Sequence, residues 1–71
     1  MPYELRKVER ALKQYGVELE KPKRGSHWRA RCRGRAFTLP AHRRTKQIYN
    51  HYVRSMCRFF DIDAEEFIRK L

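Results

Sequence analysis

A histidine and three arginines alternate with apolar residues along one short segment, at His27, Arg29, Arg31 and Arg33. Successive side chains of a β-strand point to opposite faces, so this spacing predicts a strand with all four on its outward face. Histidine is the side chain best suited to exchange protons near neutral pH, and the planar guanidinium of arginine binds phosphate oxygens through paired donors. The segment therefore predicts a surface that holds phosphate groups beside a proton-transfer residue.

The reaction that fits these residue types is cleavage of RNA, which carries its own nucleophile in the ribose 2′-hydroxyl. His27 would take the proton of that hydroxyl or give one to the leaving 5′-oxygen, while arginine stabilises charge on the phosphoryl group. The sequence leaves both roles open, and the scheme requires no metal and no cofactor. Residue types alone also fit a plainer interpretation, in which His27 is a polar surface residue after an ordinary Gly-Ser turn.

Four further residues are candidates for contact with RNA: Lys23, Arg24, Ser26 and His42. Lys23 and Arg24 form a basic turn that would attract RNA electrostatically. Ser26 has no carboxylate near it in sequence to complete a catalytic triad, so a turn-stabilising or phosphate-binding hydroxyl is the simpler interpretation. His42 could pair with His27 as a second proton-transfer group, but a phosphate contact or a solvent-exposed ring is the preferred interpretation.

The charge of the chain is segregated. The formal net charge is +10 in 71 residues, and no carboxylate occurs between Lys21 and Phe60. A solubilising surface normally intersperses both signs, whereas a cationic field of this kind attracts polyanions and releases their counterions on binding. RNA is therefore the predicted partner, and an acidic protein fits the same field.

The cysteines and the apolar segments bear on cofactors and location. Cys32 and Cys57 lack a CxxC spacing, and three scattered histidines complete no zinc pattern. Buried, reduced thiols are therefore predicted. No apolar segment has the length of a secretory or membrane-spanning one, so we expect a cytoplasmic protein without a membrane partner.

Apolar periodicity predicts one domain over residues 1–71. A helix is predicted over 2–15, followed by strands over 17–20, 27–33 and 35–39, a second helix over 46–60, and a short final helix. Helices before and after the strands can cover one face of a three-stranded antiparallel sheet and leave the arginine-bearing face exposed. The predicted fold class is thus α+β, ordered α-β-β-β-α with a short C-terminal helix, similar to double-stranded RNA-binding domains.

Some single residues in these elements carry expectations of their own. Gly16 is predicted to end the first helix, Thr45 to cap the second, and Asp63 to cap the third with capping-box spacing to Glu66. Three ring-bearing residues of the second helix receive structural interpretations, with Tyr49 and Tyr52 in packing and His51 on the surface.

Several motifs, in order, resemble the HicA family of toxin ribonucleases. These are Tyr-Gly-Val-Glu-Leu at 15–19, Gly-Ser-His-Trp at 25–28, Leu-Pro-Ala-His at 39–42 and Ile-Asp-Ala-Glu-Glu-Phe at 62–67. The resemblance implies an mRNA-cleaving toxin whose catalytic histidine is His27, and a HicB antitoxin that covers this face. The chain departs from the family in a longer loop at 43–45, a more aromatic second helix, and Phe-Asp-Ile at 60–62 where a glycine is common.

Two other functions stay open at this point. The first is a non-catalytic module that binds double-stranded or structured RNA through the same sheet and basic loops. The second is DNA binding through the second helix, which is less favoured because that helix carries few outward basic residues beyond Arg54 and Arg58.

Overall fold

Five strands and three helices form from residues 2–71, which are the part of the chain described by this computed structural model. The elements in chain order are β1 (Pro2–Glu4), α1 (Leu5–Lys13), β2 (Glu18–Glu20), β3 (His27–Cys32), β4 (Arg35–Pro40), β5 (Gln47–Tyr49), α2 (Asn50–Phe59) and α3 (Ala64–Arg69). Two separate sheets result, one of three strands and one of two.

The three-stranded sheet has the antiparallel order β2-β3-β4, as the sequence predicts. In β3 and β4, His27 lies opposite Pro40 at one end and Cys32 lies opposite Arg35 at the other. The two strands are joined by Arg33 and Gly34, which have φ angles of 51° and 78°. Positive φ at both central residues is the requirement of the tight hairpin turn that matches strand twist, so β3 ends at Cys32.

Helices α1 and α2 pack against this sheet, α1 on β2 and α2 on β4. Each of the three helices and the sheet contribute completely or almost completely buried side chains to one core, among them Leu12, Leu39, Met56 and Phe67. Each such side chain stabilises the fold by roughly 1.5–3 kcal/mol relative to exposure. The α+β class with a three-stranded antiparallel sheet is therefore confirmed.

Helix α1 ends at Lys13, two residues before the predicted end, and Gly16 terminates it as predicted. Gly16 has a φ of 75°, the left-handed conformation that glycine adopts without a Cβ penalty. The Val17 amide donates to the Leu12 carbonyl at 3.0 Å, and the Gly16 amide to the Lys13 carbonyl at 3.2 Å. These two bonds form a Schellman motif, which satisfies the last carbonyls of the helix and turns the chain into β2.

The predicted start of the first helix at residue 2 is wrong. Residues 2–4 form β1, which pairs antiparallel with β5, so that Tyr3 lies opposite Ile48. The helix begins at Leu5, whose amide donates to the Lys46 carbonyl at 2.8 Å. These three residues form a strand because they pair with residues 47–49, more than forty positions along the chain. Local propensity cannot reveal so distant a partner.

The predicted start of the second helix at residue 46 is also wrong. Lys46 has a φ of 54° and cannot begin a right-handed helix. Gln47–Tyr49 is β5, and α2 begins at Asn50 with Tyr49, not Thr45, at the N-cap position. Ile48 misled the prediction because it is fully buried in the strand and also falls in phase with the apolar stripe of the helix.

The third helix confirms its predicted cap. The Asp63 carboxylate accepts a hydrogen bond from the Glu66 amide at 3.1 Å. The Glu66 side chain in turn accepts a 2.6 Å hydrogen bond from the Tyr15 hydroxyl, which ties α3 to the end of α1. That bond raises the pKa of Tyr15 to about 12, so the phenol remains a donor throughout the neutral range.

Among residues 2–71, no helix has the length and apolar character needed to cross a membrane.

Candidate nucleic-acid interface

The outward face of β3 carries His27, Arg29 and Arg31, all exposed, as the alternation predicts. The residues between them face the helices: Ala30 is fully buried, and Trp28 and Cys32 are partly buried against the core. This is the arrangement that a strand packed on one side only must adopt. Strand β3 therefore presents one imidazole and two guanidinium groups on the same surface.

A wide depression of about 750 Å³ lies over this face, and we call it the His27 depression. Its walls come from β3 and from the loop between β2 and β3. The lining residues are Glu20, Lys21, Pro22, Lys23, Arg24, His27, Arg29 and Arg31. The predicted contacts Lys23 and Arg24 are thus brought to the same place as His27. Five cationic side chains and one carboxylate make the depression strongly positive.

The single carboxylate in the depression is engaged with one of the arginines. Glu20 lies opposite Arg29 in the strand register, but its carboxylate accepts from Nε of Arg31, at 3.3 Å. Both side chains are about half exposed, so the ion pair adds little to stability. Its effect on the surface is larger, because Arg31 is partly neutralised while Arg29 forms no ion pair within residues 2–71.

Some other basic residues between Lys21 and Phe60, the stretch without carboxylates, stabilise the fold. The guanidinium of Arg35 donates to the Phe59 carbonyl at 2.9 Å and lies over the Phe59 ring at 4.2 Å, which fastens β4 to the end of α2. Arg54 pairs with Glu65 of α3 at 2.9 Å. The net charge of the stretch therefore overstates the number of cations that a ligand can meet.

Arg33 does not share the surface of His27, and its predicted place on the outward strand face is wrong. It stands in the positive-φ turn after β3, at the opposite end of a six-residue strand from His27. At about 3.3 Å per residue, the two Cα atoms are roughly 20 Å apart. Arg33 instead lines a different depression with Tyr15, Phe60 and Asp61.

His42 also lies outside the His27 depression. Its Nδ1 accepts hydrogen bonds from the amides of Arg44 and Thr45, at 3.2 and 3.3 Å. Two amide donors on the same ring nitrogen fix the orientation of the imidazole. These bonds organise the basic loop at 43–46 around His42, and its pairing with His27 as an acid–base pair stays a prediction.

A second concave surface adjoins the first and was not predicted as a site; we call it the tyrosine–histidine depression. Its lining residues are Ser26, Pro40, Ala41, His42, Tyr49, His51 and Tyr52. Ser26 thus lies in this depression while the next residue, His27, lines the other, so the two surfaces meet at that peptide. The Ser26 carbonyl accepts from the Ala41 amide at 2.8 Å, which continues the pairing of β3 with β4 by one residue on each strand.

The packing interpretation of Tyr49 is wrong, because 52% of its surface is exposed. Tyr52 packs partly against the core, and His51 is exposed as predicted. The available signal was the cluster of rings directly after a basic loop, at positions 49, 51 and 52. It was masked by the helical prediction, which placed Tyr49 one turn inside α2.

The cysteines belong to neither depression. Both are free thiols, and Cys57 is fully buried in α2, where burial raises the pKa of its thiol to about 11. A thiol with so high a pKa is a poor nucleophile. Within residues 2–71, no group of three or more histidine, cysteine or carboxylate side chains converges as metal ligands would.

Comparison with known proteins gives no relative from which a role could be transferred. No family model matches the chain, and neither a curated protein nor a solved structure matches it. The geometry of the two depressions is therefore the basis on which a function is assigned.

Proposed function

We propose that this protein is a HicA-like, metal-independent mRNA endoribonuclease that acts in the cytoplasm and is neutralised by a HicB-type antitoxin covering its cationic face. The observation that carries the proposal is the position of His27, an exposed imidazole in a depression whose other walls are mostly lysine and arginine. The helix and strand order is also consistent with a fold of the double-stranded RNA-binding kind, extended here by the β1–β5 pair.

The reaction divides among the residues of the His27 depression. Arg29, which has no acidic partner within residues 2–71, binds the scissile phosphate, and Lys23 and Arg24 hold the flanking strand. The ribose 2′-oxygen attacks the adjacent phosphorus, the bond to the 5′-oxygen breaks, and a 2′,3′-cyclic phosphate forms. One proton leaves the 2′-hydroxyl and one reaches the 5′-oxygen; His27 carries one of them and water the other.

The experiment is an RNA cleavage assay in EDTA with wild type, His27→Ala and His27→Asn. Asparagine keeps a hydrogen-bonding side chain but cannot transfer a proton at neutral pH, so it is the matched control for shape and polarity. We expect both variants to lose about a hundredfold or more in cleavage rate, with RNA affinity nearly unchanged. The wild-type products should carry 2′,3′-cyclic phosphate ends.

Equal cleavage by all three proteins would remove His27 from the mechanism. A wild type that binds RNA without cleaving it would favour the second candidate, a non-catalytic RNA-binding module. One observation favours that candidate: the His27 ring forms no hydrogen bond with another side chain or with the backbone of residues 2–71. General bases are commonly oriented by such a partner.

A further inference from the structure

The rings of the tyrosine–histidine depression form a short ladder. Tyr49 and His51 lie nearly parallel, with an interplanar angle of 12° and centroids 6.2 Å apart. His51 and Tyr52 are closer, at 4.1 Å and 39°. Stacked pairs prefer offset parallel planes. A planar molecule that stacks on the outer ring, that of Tyr49, is therefore also nearly parallel to the His51 ring.

The outer ring of this ladder is unusual for the molecule. Tyr49 is the one large apolar side chain of residues 2–71 that is classed as exposed. Its backbone lies at the end of β5, opposite Pro2, and the side chain is not part of the core cluster. An exposed aromatic platform supplies contact area at small cost in side-chain entropy.

The positive charge around the ladder favours binding of a polyanion. No Asp or Glu lines the depression, and the adjoining loop carries Arg43, Arg44 and Lys46, all exposed. These cations form no ion pair within residues 2–71. Ser26 and His42 place polar groups beside the rings, as recognition of a base edge requires.

We propose that the tyrosine–histidine depression binds an unstacked base of single-stranded RNA, one that flanks the phosphate held in the His27 depression. The proposal rests on the proposed function and narrows its substrate to RNA that is unpaired at this position. It follows from the shared border of the two depressions at Ser26 and His27, because a strand whose phosphate lies on one side presents its neighbouring base to the other. Sequence-tolerant single-strand binding commonly combines such ring platforms with a basic groove.

The test uses a short 2′-O-methyl RNA strand with 2-aminopurine at its centre, which cannot be cleaved and whose fluorescence falls when the base stacks. Wild type and Tyr49→Phe should bind it equally and quench it. Tyr49→Leu, which removes the ring, should bind about tenfold more weakly and quench little. His51→Ala is a second variant at an exposed site and should also reduce quenching. A duplex of the same sequence should bind equally to all four proteins, whose folding is checked by circular dichroism.

Each other result has a definite meaning. If Tyr49→Leu and His51→Ala bind and quench as wild type does, the base site is refuted, and an acidic protein becomes the occupant to test. An equal loss of duplex affinity would also refute it, because the substitution would then have damaged the surface generally. If the ring effects appear but cleavage does not depend on His27, the base site stands and the nuclease proposal fails. A wild type that binds no RNA refutes both.

Discussion

The ion pair between Glu20 and Arg31 sets the number of cations in the His27 depression that are free to contact phosphate. Five lysine and arginine side chains line the depression, and one of them is paired, which leaves four. For a single strand, log K falls with log salt by about 0.7 for each phosphate contacted. The four free cations of this depression therefore contribute about −2.8 to the slope, which corresponds to about a fiftyfold loss of affinity between about 50 and about 200 mM salt.

The informative perturbation is Glu20→Gln, which keeps the shape of the side chain and removes its charge. Arg31 is then free, so the slope should steepen by about 0.7 and affinity at low salt should rise. Arg29→Ala should do the reverse and make the slope shallower by about 0.7. The assay is fluorescence-anisotropy titration of an uncleavable RNA strand across a salt series.

Glu18→Gln is the matched control for the change in net charge. Glu18 lies on the same strand as Glu20 and directly opposite Arg31, but it does not line the depression and forms no ion pair within residues 2–71. Its substitution should leave the slope unchanged. If Glu18→Gln and Glu20→Gln steepen the slope equally, general attraction governs binding and the argument from the Arg31 ion pair is refuted. An unchanged slope for Arg29→Ala would likewise remove that residue from the phosphate site.

Two further predictions concern the scaffold. Asp63→Ala should lower the free energy of unfolding by about 1 kcal/mol, because the Glu66 amide loses its acceptor. Urea denaturation measures this change. Asp63→Asn should lower the free energy of unfolding less, and an equal loss would mean that the charge of Asp63 rather than the hydrogen bond stabilises the helix. In native protein at mildly alkaline pH, iodoacetamide should alkylate the partly exposed Cys32 well before Cys57, whose buried thiol has a pKa of about 11. Peptide mass spectrometry measures both, with urea-unfolded protein as the control in which the difference should disappear.

The face of β3 could be predicted because its cause is local. Strand geometry alternates side chains whatever the strand packs against, and Trp28, Ala30 and Cys32 supply an apolar face that must turn towards a core. His27, Arg29 and Arg31 then share the opposite face by necessity. The same local reasoning succeeded for Gly16 and for Asp63, where a helix end requires a left-handed residue or a side-chain acceptor.

The errors occur where a distant partner competes with local preference. The local sequence predicts helix both at residues 2–4 and at residues 47–49. The two segments form strands because they pair with each other. Moving the start of α2 from residue 46 to residue 50 also left Tyr49 on the surface rather than one turn inside a helix. The candidate base site could not be found from the sequence for this reason.

Sequence alone determined the charge segregation, the α+β class and the shared face of His27 with two arginines, because composition and the period of two are properties of neighbouring residues. Tertiary structure decided which cations remain free, why Arg33 and His42 line other depressions than His27 does, and where the aromatic ladder stands. Those outcomes depend on a turn with positive φ, a ring nitrogen that accepts two amides and a pairing across the chain. The pairing of β1 with β5 joins residues far apart in the chain, and the turn and the His42 bonds, although local, depend on backbone angles that composition and periodicity do not fix.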